Sequence, residues 1–138
     1  MDIERIKELI YKQPSLSTTL GMEFLSTPDD DTCMARMRVD ENNRQPFGFL
    51  SGGASLALAE NLAGVGSMAL CPDKIAVGVN VTGSHVKAVL EGDTVTATAH
   101  LRHQGKTLHQ WQVDIENEQG ELISTVQVTN YVIASKKS

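Results

Sequence analysis

Large aromatic side chains are scarce in this sequence: one Trp, two Tyr and three Phe among 138 residues. A core with so few rings must close around small and aliphatic side chains, which are packed as densely as any others. Cysteine is nearly absent. Cys33 and Cys71 stand far apart, with no CxxC and no metal-ligand spacing. This excludes a disulfide scaffold and leaves free buried thiols in a reducing compartment as the expectation. Basic clusters are missing apart from Lys136-Lys137, and the net charge is −5. Neither nucleic acid nor an anionic membrane is an expected partner. No histidine precedes His85, and the four histidines form no HxxxH or HxH pair, so no metal site is expected. A GxSxG nucleophile elbow, a phosphate loop and a dinucleotide fingerprint are all absent. The opening "MDIERIKELIYKQ" carries acids where a signal peptide needs an apolar core. The longest apolar run, 54–71, contains Glu60 and Asn61, which suits a core helix better than a membrane span. A cytoplasmic protein is the expectation.

What is present suits one domain over residues 1–138. Ile3, Ile6, Leu9 and Ile10 recur at helical spacing, predicting a short amphipathic helix over about 2–13. Asp2 is placed to cap it, and Pro14 with the Ser/Thr run 15–19 ends it. Strands are predicted at 21–27 and 32–39, with a loop at 40–49. A helix over 52–70 follows, with Ser51 as its expected N-cap and Cys71-Pro72-Asp73 as its stop. That helix is apolar nearly all round, the mark of a central rather than a surface helix. After Pro72 the pattern changes to period two. Strands are predicted at 75–87, 93–103, 107–116 and 121–133, with "LEGD" and "NEQG" as hairpin-type turns. The expected class is α+β: an antiparallel sheet, ending in a four-stranded meander over 75–133, wrapped on one helix.

Glu60 is the only charged residue between Arg44 and Asp73. An unpaired buried carboxylate is costly. It either reaches a helix edge, pairs with a cation from elsewhere, or serves as a catalytic base or nucleophile among apolar neighbours. The stretch "GFLSGG" places glycines where the helix begins. Free backbone N–H groups there, at the positive end of the helix dipole, suit a developing oxyanion. A plain helix start capped by Ser51 is the other reading.

These parts meet in "RQPFGFLSGGASLALAENLAG", which resembles the signature of the hotdog-fold acyl-CoA thioesterases. The similar branch holds 4-hydroxybenzoyl-CoA thioesterase of the Arthrobacter type, the enterobactin proofreading thioesterase and 1,4-dihydroxy-2-naphthoyl-CoA hydrolase. The resemblance extends through "VGVNVTGSHVKAVLEGD", "HQGKTLHQWQVDI" and "GELISTVQVTNYV", about residues 20–133. It implies a hotdog fold and hydrolysis of an aromatic or medium-chain acyl-CoA, with coenzyme A as part of the substrate and no separate cofactor. It implies that Glu60 attacks the thioester or activates water, that Gln45 positions the reacting groups and that the Gly52 amide polarises the thioester oxygen. It implies that Gly78, His85, Val86, Lys87 and Ala88, with His103, Gln104, Gly105, Lys106, Thr107 and Leu108, line the CoA and acyl channel. The lysines would meet phosphates. It implies a site shared across a homodimer, Glu60 of one subunit facing Gln45 and Gly52 of the other, and dimers paired into a homotetramer.

Two positions depart from the pattern. Ser51 stands where the family usually has His, and Gly64 where it usually has Ser or Thr. A serine cannot hold positive charge near neutral pH. These departures motivate a second reading, a catalytically weak acyl-CoA binding or sensing protein. A hotdog dehydratase, a third reading, needs a histidine near the central helix, where this chain has none in sequence. Phe47, Phe49, Leu50 and Met68 are candidates for the acyl pocket.

Overall fold

The computed structural model describes residues 1–134; Lys136-Lys137 lie outside the described residues. Helix α1, Glu4–Tyr11, is shorter than predicted, and Asp2 Oδ1 accepts the Glu4 N–H at 3.0 Å. The Ser/Thr run after Pro14 does more than end it. Ser15 and Thr18 open a second short helix, α2, Leu16–Leu20, with the Ser15 N–H donating to Thr18 Oγ1 at 2.9 Å. This is the reciprocal capping pattern that Ser and Thr favour. Gly21, at φ +80°, closes it.

Six strands follow around one long helix: β1 Met22–Leu25, β2 Thr32–Arg38, α3 Gly52–Leu70, β3 Lys74–His85, β4 Thr94–Gln104, β5 Leu108–Glu116 and β6 Leu122–Ala134. They form one antiparallel sheet in the order β1-β2-β4-β5-β6-β3. The expected four-stranded meander is therefore corrected to three strands, β4 to β6, with β3 paired to β6 at the far edge. "NEQG" does turn between neighbours, with Gly120 at φ +77°. "LEGD" does not, because residues 86–93 are held elsewhere. The Leu50 N–H donates to Val89 O at 2.8 Å and the Glu91 N–H to Gly48 O at 2.9 Å. These bonds tie the segment to the loop before α3 and deliver the chain to β2 rather than back along β3.

The sheet closes over α3 because both surfaces are small where they meet. Leu58, Ala59, Leu62, Ala63 and Val65 of the helix are buried with Ala35, Val95, Ala97, Ala99, Val113 and Val126 of the sheet. Trp111 is the largest side chain fully buried in the core, and its edge rests on Gly66. A Cβ on Gly66 would stand 2.6 Å from Trp111 Cη2 and 3.1 Å from Cys33 Sγ. Helix propensity favours Gly→Ala by about 1 kcal/mol, whereas overpacking a core costs about 1–3 kcal/mol. Gly66→Ala is expected to be net destabilising. A Cβ on Gly64 meets nothing within 4 Å, so Gly64→Ala is expected to stabilise by up to about 1 kcal/mol. Urea unfolding of the two variants separates the signs.

Below Trp111 lies a polar knot. The Trp111 Nε1–H donates to Ser67 Oγ at 2.9 Å, Asn130 Nδ2 donates to it at 3.2 Å, and His109 Nδ1 lies 2.8 Å away. With two hydrogens accepted, the Ser67 hydroxyl has its own to donate to His109 Nδ1, which suits a neutral imidazole. Burial, with the nearby His103 and Lys74, lowers the His109 pKa from 6.5. The unfolded chain then binds a proton that the folded chain refuses. This stability is fully present above pH 6.5 and is lost as pH falls toward the folded-state value. Melting temperature is expected to fall between pH 7.5 and pH 5.5, with a shallower slope in His109→Gln. Cys33 is buried as expected, its thiol pushed up to about 12 by desolvation, and so is inert. Cys71 is only half-buried, at a helix end where the chain turns outward.

Strand β3 differs from the others. Most of its residues are exposed, including Ile75, Val77 and Val79, and its outer edge pairs with no strand among the described residues. No helix among the described residues is long and apolar enough to cross a membrane.

Candidate active site

Glu60 leaves α3 on the flank facing β3. Its carboxylate lies directly on Gly78: a Cβ there would overlap Oε2 and stand 2.9 Å from Cδ. Glu60 is half-buried and has no hydrogen bond or ion pair among the described residues. It faces a cavity of about 530 Å³ between α1, α3 and β3, a volume that suits a small-ligand cleft. Ile10, Gly64, Val65, Met68 and Ala76 line its walls, and Asn130 lines it from β6. Asn130 is 1% exposed, and its Oδ1 has no partner among the described residues. The lone carboxylate in the apolar run is thus tolerated because it meets a cavity rather than the core.

A second cavity, about 390 Å³, opens at the start of α3. Gln45, Phe49, Leu50, Gly52 and Ser55 line one side, and His85, Val86, Lys87, Ala88 and Ser124 the other. Gln45 Oε1 accepts the N–H groups of Phe47 at 2.5 Å and Phe49 at 3.3 Å. This pins the side chain to its own turn and leaves the amide nitrogen as a free donor. The N–H groups of Gly52 and Gly53 find no partner among the described residues, as befits the first turn of a helix. The His85 ring covers Gly52: Nε2 would stand 2.7 Å from a Cβ there. Lys87 Nζ is 3.2 Å from Glu121. A hydrogen bond from Asn117 and the Lys87 ammonium together hold Glu121 below the usual carboxylate range.

The structure does not gather every expected residue. Ser51 makes no side-chain cap. It lines a third, smaller cavity with Leu16, Leu20, Arg44 and Ala57, away from Gly52 and Gln45. Gly52 and Glu60, expected in a shared site from different subunits, lie eight residues apart on one helix, about 12 Å of rise, and line different cavities of the single chain. His103 and Gln104 end β4, Gly105 to Thr107 form the turn, and Leu108 begins β5; none of the six lines either cavity. Lys106 is exposed in that turn. Among the acyl-pocket candidates, Phe49 and Leu50 line the second cavity and Met68 the first, whereas Phe47 is 81% exposed. Two residues escaped the sequence reading. Ser124 and Asn130 sit among the alternating positions of β6, and only the pairing of β6 with β3 brings them to the cavities.

Residues 47–124, more than half of the chain, match the thioesterase superfamily. A 1,4-dihydroxy-2-naphthoyl-CoA hydrolase of Listeria monocytogenes is 35% identical over 123 residues, 88% of this chain and 96% of that protein. The proofreading thioesterase EntH of Cronobacter turicensis is 36% identical over 115 residues, 83% of this chain and 82% of that one. A thioesterase of Pseudomonas aeruginosa, crystallised as a variant, superposes with a TM-score of 0.86 at 31% identity, covering 98% of this chain and 96% of that chain. Helix, sheet and relatives agree: the chain belongs to the thioesterase superfamily, and it is a hotdog-fold thioester hydrolase.

Proposed function

We propose that the protein hydrolyses an aromatic or medium-chain acyl-CoA at a site completed by a second copy of the chain. The observation that carries this reading is the split between Glu60 on one cavity and the Gln45 and Gly52 donors on another. One chain holds both halves of the machinery, too far apart to act on one carbonyl. A two-fold interface brings unlike halves together twice. The open edge of β3 suits it, since a long exposed apolar edge is a template for pairing. Glu60 lies over Gly78 and Gly52 lies under His85. Antiparallel pairing of two β3 strands that sets Gly78 opposite His85 has its axis near Val81 and Thr82. Further pairing of dimers into a tetramer accords with the same family pattern.

In this site Glu60 acts on the thioester carbon by one of two balanced routes. Its carboxylate adds to the carbonyl and expels the CoA thiolate, leaving an anhydride that water then opens to the acid. Alternatively it takes a proton from water as the hydroxide adds, and the tetrahedral intermediate collapses with loss of thiolate. Both routes place negative charge on the carbonyl oxygen, where the Gly52 N–H stabilises it and Gln45 orients it. Coenzyme A enters as part of the substrate. The naphthoyl-CoA hydrolase relative supports an aromatic acyl group.

The test is subunit complementation. Glu60→Ala and Gln45→Ala chains, each impaired alone, are co-expressed and assayed for thiol release from benzoyl-CoA and octanoyl-CoA. Random pairing is expected to restore roughly a quarter of wild-type activity per site. No recovery, with light scattering showing a monomer, refutes the shared site. No thiol release by wild type from either ester refutes the substrate class.

A further inference from the structure

His85 ends β3, directly opposite Ser124 of β6 in the strand register. Its Nδ1 lies 2.7 Å from Ser124 Oγ. Ser124 is 0% exposed, and this is the only hydrogen bond of its side chain among the described residues. A buried hydroxyl must donate its hydrogen somewhere, and Nδ1 is the acceptor available. That assignment leaves the hydrogen of a neutral ring on Nε2. The ring edge bearing it rests on the first turn of α3, with Nε2 2.7 Å and Cδ2 2.8 Å from where a Cβ of Gly52 would stand. Nowhere else on this turn does a side chain crowd the glycine, since a Cβ on Gly53 would meet only Ser51 Oγ, at 3.6 Å. One donor from the backbone and one from an anchored ring therefore converge on the same wall of the cavity. Gln45, the third donor there, is held by its own turn.

We propose that His85 is a catalytic residue: its Nε2–H and the Gly52 N–H together bind the oxygen of the thioester as it gains negative charge, and Ser124 is the positioning residue that orients the ring. This rests on the thioester reading above and goes beyond it, since it moves His85 from the channel wall to the reacting atoms. It also supplies the imidazole that position 51 lacks. Ser51 faces another cavity, whereas His85 brings an imidazole to Gly52 from the neighbouring strand. No proton changes owner in this role; the hydrogen bond strengthens as the carbonyl oxygen becomes an oxyanion.

The experiment measures kcat and KM for benzoyl-CoA and octanoyl-CoA in wild type, His85→Ala, His85→Gln, Ser124→Ala and Glu60→Ala, with melting temperature beside each. Loss of one oxyanion donor lowers kcat on the order of 100-fold. His85→Ala is expected to lose about that much in kcat with KM little changed, as an interaction confined to the transition state requires. His85→Gln keeps an N–H and is expected to recover part of the loss. Ser124→Ala is expected to lower kcat by roughly tenfold, through the unanchored ring. A His85→Ala variant that raises KM at unchanged kcat, or changes neither, overturns the proposal. His85 is exposed at an edge-strand end of the single chain, and light scattering beside each melt shows whether its variants keep the β3 pairing, so they stay informative even where the buried Ser124→Ala fails to fold. Glu60→Ala separates the two readings. If it is inactive while His85→Ala turns over normally, only the role of His85 falls. If it matches wild type, the proposed function falls first.

Discussion

Glu60→Ala is expected to lower kcat for acyl-CoA hydrolysis by on the order of 1,000-fold or more, with the melting temperature within a few degrees of wild type. The two halves of this expectation have separate causes. Activity falls because no other carboxylate among the described residues lines either cavity, and the reaction needs a nucleophile or a base beside the thioester carbon. Stability holds because the carboxylate makes no hydrogen bond or ion pair among the described residues, so its removal orphans nothing. A structural glutamate predicts the reverse, a large fall in melting temperature with turnover preserved per folded molecule. Thiol release followed with a chromogenic reagent, beside a thermal melt, distinguishes the two. Wild-type turnover in the variant sinks the assignment.

Gly78→Ala carries the second large effect. The new methyl group would occupy the place of Glu60 Oε2, and a Cγ contact of 3.1 Å limits how the side chain can retreat. Gly78 does not have a positive φ, so the backbone accepts alanine without strain. It lies on an exposed edge strand, where the displaced group is the free end of a flexible side chain. The cost therefore falls on position rather than on folding. A misplacement of about 1 Å at a reacting group can cost on the order of 100-fold in rate, and a loss of this size in kcat is expected with a near-normal melt. Unchanged kcat means that the carboxylate does its work from some other rotamer. Then its contact with Gly78 is incidental.

Much of the fold was legible because it depends on local signals. The small apolar run with a single glutamate marked α3, and Thr alternating with Val and Ala marked β4. Where the reading failed, the missing information was non-local. The period-two pattern of 75–87 says that a strand is there, but not that it pairs with β6 instead of β4. Ser15 and Thr18 served equally as a helix stop and a helix start, and their mutual hydrogen bond decided it. Ser51 has the right position for a cap, yet its hydroxyl makes no cap hydrogen bond.

The residues alone marked a lone carboxylate in an apolar run and a glycine-led helix start as candidates for chemistry, since residue type and spacing express chemical capacity, and the family resemblance added the glutamine. Tertiary structure decided how that capacity is divided. Helix rise separates Glu60 from Gly52, strand pairing seats His85 on Gly52 through Ser124, and the open edge of β3 leaves room for a second copy. Those outcomes depend on contacts between positions far apart in the chain, and no local period encodes them.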